Sequence, residues 1–125
     1  MVLGEYEALA LTHFAFFVGT ETFLNSDVFT AIQRYKKINY TNNPIGYAVA
    51  KANVLREMQA WTTNGGVVQE SMKQMRRFEA VLFQCPDGMD ISITQGDVLS
   101  GSLNYGELAD TLETQLEEYI DGLDR

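Results

Sequence analysis

A mostly helical α+β fold in a single compact domain, with about five helices and one β-hairpin over roughly residues 78–94, is what this sequence predicts. Three observations carry that expectation. The chain has 125 residues, 46% of them hydrophobic and 21% charged, enough for one core without staples and too apolar for wholesale disorder. Apolar residues recur at helical spacing from Gly4 to Arg77 and again after Asn104. Between those stretches Met89, Ile91 and Ile93 alternate with Asp90, Ser92 and Thr94, the period of a half-buried strand.

Gly4–Val18 reads as a helix that is apolar almost all round. At ~100° per residue Leu3, Ala10, Phe14 and Phe17 share one side, while Leu11, Ala15 and Val18 fill another. Such a helix is either central to its domain or buried partly by another subunit. A strand over His13–Val18 competes, because aromatic and β-branched residues dominate there; Gly19 ends the element in either case. The run Ala8–Val18 is about half the ~20 residues of a spanning helix and is interrupted by Thr12 and His13. It follows Glu5 and Glu7, where a signal peptide carries positive charge, so it reads as core, with no membrane partner expected.

Asn25 or Ser26 caps a second helix that runs to about Ile38, with Val28, Phe29, Ile32 and Tyr35 as its stripe. After a polar loop, Pro44 stands at the first position of a third helix with Asn43 as cap. That helix runs to about Trp61 and has two apolar faces: Ile45, Ala48, Val49 and Ala52 on one, and Tyr47, Ala50, Val54, Met58 and Trp61 on the other. The pattern predicts a helix sandwiched between other elements. Asn64-Gly65-Gly66 terminates it. A fourth helix covers Val67–Arg77. Phe78–Gln84 and Met89–Thr94 then read as two strands joined by the Pro86-Asp87-Gly88 turn. Asn104, with Glu107 three residues on, imitates a capping box for a last helix running to about Asp121. Leu108, Leu112, Leu116, Tyr119, Ile120 and Leu123 fall on an arc of ~120° on it.

Charge is sorted along the chain. Residues 33–77 hold eight of the nine basic side chains and two carboxylates, a net of +6; residues 78–125 hold eleven carboxylates and Arg125, a net of −10. Lys73, Arg76 and Arg77 cluster at i, i+3, i+4 as a basic face, and Glu107, Asp110, Glu113, Glu117, Glu118 and Asp121 form an acidic face opposite the last helix's apolar arc. Like charges at these spacings cost a helix ~0.2–0.5 kcal/mol per pair, and carboxylates near a C-terminus oppose the helix dipole. Both effects point to a compensating positive partner, although a solvated face would also account for the run.

Chemistry-bearing residues are sparse. The single cysteine, Cys85, excludes an internal disulfide and fits a reducing, cytoplasmic compartment, with virion association an alternative setting. Cys85 lacks a neighbouring cation to activate it, and His13 sits in an apolar element and reads as a core histidine. Asp87, Asp90 and Asp97 do not follow a calcium-loop spacing, and Gly65-Gly66 is not followed by Lys-Ser/Thr, so neither a metal nor another cofactor is expected. Tyr35, Tyr40, Tyr47 and Trp61 lie among the basic residues, but a net charge of −8 opposes nucleic-acid binding and no recognition signature is present.

These features lead to the expectation of a non-enzymatic assembly subunit, a homo-oligomer joined head-to-tail through its basic (33–77) and acidic (104–124) surfaces. A viral or phage structural component fits the description. The alternative is an acidic adaptor or inhibitor whose last helix binds a basic protein partner. Opposite poles of a domain with a radius of gyration near ~14 Å lie beyond the ~8 Å screening length, so charge contacts between subunits would outweigh attraction across one monomer. If the basic and acidic helices instead pack together, the segregation neutralises an intramolecular interface.

Overall fold

The computed structural model describes residues 3–38, 40–64, 67–91 and 104–123. Those residues form six helices: α1 (Glu5–Val18), α2 (Thr20–Leu24), α3 (Asp27–Lys37), α4 (Pro44–Gln59), α5 (Glu70–Gln84) and α6 (Tyr105–Leu123). α5 is the centre, packed against α1, α4 and α6, while α3 packs on α4. Phe14, Val28, Tyr35, Val54, Met58, Phe78, Leu82, Phe83 and Leu112 are fully buried in the core between them.

The ends follow local rules. The Gly4 amide donates to Glu7 Oε1 (2.9 Å) at the start of α1, and the Glu5 amide donates to Asp87 Oδ1 (2.8 Å), tying the helix to the Pro86–Gly88 turn. A Cβ at Gly4 would meet Asp87 Oδ1 at 2.7 Å, so a larger residue there would have to push that exposed carboxylate aside. Gly19, with φ +95°, redirects the chain from α1 into the short α2, which the sequence reading omits. Ser26 Oγ accepts from the Phe29 amide (3.2 Å), and Asn43 Oδ1 accepts from the Gly46 amide (3.0 Å) behind Pro44. Asn104 Oδ1 accepts from the Glu107 amide (3.2 Å), as expected for the start of α6.

The expected α+β fold is wrong, and the error lies in the hairpin. Phe78–Gln84, read as a strand, is the second half of α5. Met89–Ile91 of the second strand is not paired, and residues 92–94 lie outside the described residues. Phe78, Val81, Leu82 and Phe83 look β-like because apolar side chains point in several directions, but α5 is enclosed on several sides and needs apolar residues on each. No breaker separates Glu70 from Gln84, and Glu79, Ala80 and Leu82 are good helix formers. The one antiparallel pairing among the described residues is a two-residue ladder, Thr63 to Val68 and Asn64 to Val67, that turns the chain from α4 into α5. His13–Val18, open to a strand reading, is helical.

The expectation of a sandwiched α4 is half met. Ala50, Val54 and Met58 enter the core, whereas Ile45, Ala48, Val49 and Ala52 face outward, with Ile45 79% and Val49 56% exposed.

Candidate functional site

Folding splits the expected basic face: Arg76 is buried, while Lys73 and Arg77 stay part-exposed beside carboxylates of the same subunit. Arg76 lies in the core, its guanidinium 4.7 Å from the centre of the Phe14 ring and its Nη1 3.0 Å from Glu79 Oε1. Arg77 reaches across to α6, where Nε and Nη2 donate to Glu113 (3.2 and 3.0 Å) and Nη2 also donates to Asp110 Oδ1 (2.7 Å). Hydrogen bonds to these two carboxylates push the Arg77 pKa upward. Lys73 pairs with Glu70 on its own helix at 3.4 Å. The positive end of α5 and the first turns of α6 thus neutralise each other within one subunit.

The acidic face is divided in consequence. Asp110 and Glu113 are engaged by Arg77, whereas Glu107, Glu117, Glu118 and Asp121 carry no ion pair among the described residues. Beyond Tyr119 the apolar arc of α6 leaves the core as well: Ile120 is 49% and Leu123 68% exposed.

Positive charge reaches the surface instead on α3 and α4. Residues 27–59 carry five basic side chains and two carboxylates, a net of +3. Arg34 and Arg56 line a groove of about 510 Å³ between α3 and α4, together with Val49, Ala50 and Asn53. A second groove, apolar and about 570 Å³, runs between α1, α2 and α3 past the exposed Phe16.

Burying Arg76 creates a polar cluster that the sequence reading missed. A short hydrogen bond joins His13 Nδ1 to Glu79 Oε2, and His13 Nε2 lies 2.9 Å from the Tyr105 hydroxyl, within hydrogen-bond reach. His13 and Glu79 are fully buried. Burial raises the Glu79 pKa despite the opposing pull of His13 and Arg76, and burial also raises Tyr105 and lowers Arg76. The signal was present in the spacing of Arg76 and Glu79, three apart on one helix. Ending that helix at Arg77 concealed it.

A related cluster joins α1, α3 and α4. Tyr35 donates to Glu7 Oε2 in a short hydrogen bond, the Tyr35 and Tyr47 hydroxyls lie 2.7 Å apart, and Lys51 Nζ stands 3.4 Å from Glu7. Burial and these acceptors raise the Tyr35 pKa.

Comparison of the chain with protein-family models, with curated proteins and with solved structures returns no match. Function is therefore argued from these residues alone.

A general base must come within hydrogen-bond reach of the proton it removes. His13 bonds to Glu79 and Tyr105, Glu79 Oε1 and Arg76 Nη1 form a buried ion pair without a hydrogen bond, and none of the grooves beside α1–α3, α3–α4 or Cys85 is lined by His13, Glu79 or Tyr105. The arrangement fixes the packing of α1, α5 and α6 rather than exposing a reactive group. Cys85 is buried, donates to the Val81 carbonyl (3.4 Å) and has its pKa pushed up to about 11 by burial. Among the described residues no group of His, Cys, Asp and Glu side chains could hold a metal ion, and no helix is long and apolar enough to cross a membrane. Asp87 caps α1, Asp90 is exposed, and Asp97, like Gly65-Gly66, lies outside the described residues.

Proposed function

We propose that this protein is a non-enzymatic assembly subunit that associates with copies of itself. The observation that carries the reading is the outward stripe of α4, where Ile45 and Val49 stand more than half exposed one turn apart, with Ala48 and Ala52 beside them. A helix already seated by Ala50, Val54 and Met58 gains nothing in the monomer from a second apolar face, and contiguous exposed apolar surface marks interaction sites. The exposed Ile120 and Leu123 at the end of α6 add to it.

A second reading follows from the unpaired carboxylates Glu117, Glu118 and Asp121: an acidic adaptor that docks on a basic protein. Light scattering on a sizing column separates the two. Self-association predicts a defined oligomer that Ile45→Glu with Val49→Glu converts to monomer, with the helical circular dichroism unchanged. A monomer at both ~50 and ~500 mM salt overturns the assembly reading and leaves the adaptor.

A further inference from the structure

Two surfaces left over by the fold complement each other, and they lie on different elements. One is the last turns of α6, where Glu117, Ile120, Asp121 and Leu123 project into solvent at helical spacing, apolar and acidic together. The other is the groove between α3 and α4, whose walls carry Arg34 and Arg56 beside Asp27 and Glu57, with the exposed Val49 along it. α6 carries six carboxylates and no basic residue, while the α3–α4 segment is net positive. Arg34 makes no ion pair among the described residues, and Arg56 is 3.8 Å from Glu57 at an exposed site, a contact worth little against water.

Resting on the assembly reading above, we infer that the C-terminal turns of α6 dock into the α3–α4 groove of a second copy. Ile120 and Leu123 lie against Val49 and the outward α4 stripe, and Glu117 and Asp121 meet Arg34 and Arg56. Docking α6 on α3–α4 sets a helix of six carboxylates against a segment of net +3, with Asp27 and Glu57 offsetting the two arginines inside the groove itself, and it covers both apolar patches at once. The contact is heterologous, because donor and acceptor are different surfaces of one subunit. It propagates as a filament unless the rotation between subunits closes it into a ring. The proposal moves the basic half of the interface to Arg34 and Arg56, because Arg76 is buried beside Glu79 and Arg77 is held by Asp110 and Glu113 within the subunit.

Two charge-reversed proteins test the contact, one carrying Glu117→Arg with Asp121→Arg and the other Arg34→Glu with Arg56→Glu. All four sites are exposed, so circular dichroism should match the wild type. At ~50 mM salt each variant alone should lose the wild-type oligomer and elute at monomer mass. An equimolar mixture should regain a dimer or larger species, because the intact groove of the first accepts the intact α6 of the second. If the wild type is oligomeric and both variants keep its mass, or if both are monomeric and the mixture stays so, the docking is wrong while the assembly reading stands. A wild type that is itself monomeric sinks both.

Discussion

Replacing Arg76 by methionine tests the account of the core most directly. The substitution keeps much of the side-chain volume and removes the charge, leaving Glu79 buried with His13 as its remaining polar partner. Breaking a buried pair from one side typically costs about 3–5 kcal/mol. Proton uptake sets a ceiling on the electrostatic part. Protonating a carboxyl of ordinary pKa 4.5 at pH 7 costs about 3.4 kcal/mol, at ~1.36 kcal/mol per pH unit, and Glu79 neutralises once staying charged costs more. Loss of the guanidinium over Phe14 adds about 1 kcal/mol. The expected loss at pH 7 is therefore ~3–4 kcal/mol, a fall in Tm of ~12–16 °C at about 4 °C per kcal/mol.

The pH dependence separates this mechanism from simple loss of packing. Burial already places the folded Glu79 above its unfolded value, and removing Arg76 raises it further. A raised folded pKa contributes stability that is complete below the unfolded value and lost as pH rises through the folded one. The deficit of Arg76→Met should thus shrink by up to about 1.4 kcal/mol per pH unit as pH falls from 7 towards 5. Urea unfolding followed by circular dichroism at pH 5, 6 and 7 measures it. Arg76→Met with Glu79→Gln should recover much of the loss, since the neutral amide leaves no buried charge and still gives His13 a hydrogen-bonding partner. A deficit independent of pH, or a double variant no better than the single, would refute the argument.

Arg77→Ala should behave differently despite its shorter contacts. Its partners Asp110 and Glu113 are 71% and 45% exposed, so the expected loss is below ~1 kcal/mol in urea and smaller still at ~500 mM salt. Cys85, with a pKa near 11 against an ordinary 9.0 and its sulfur buried, should react with a disulfide reagent at pH 8 at least ~100-fold more slowly in the native protein than in urea; equal rates would contradict its placement.

The comparison of sequence with fold turns on α5. The starts of α3, α4 and α6 at Ser26, Asn43-Pro44 and Asn104 are legible, because a cap needs only residues three apart, whereas α5 starts after Gln69 with no side-chain cap to mark it. Legible too is α6, whose buried Leu112 and divided charge lie on the faces that periodicity assigns. Periodicity fails at Phe78–Gln84, where helix and strand both present apolar residues in every direction. What selects the helix is enclosure by α1, α4 and α6, which no local window contains.

The partners of charges were the other unreadable part. Sequence alone determined that positive and negative side chains are segregated along the chain, that α4 has two apolar faces, and that no disulfide forms within it. Only the tertiary structure decided that Arg77 is neutralised inside the subunit, that Arg76 joins His13, Glu79 and Tyr105 in the core, and that Ile45 and Val49 stay in water. The reason is physical: a helical face is fixed by spacing of three or four residues, but what covers it, and which charge comes within a few ångströms, depends on segments dozens of residues away.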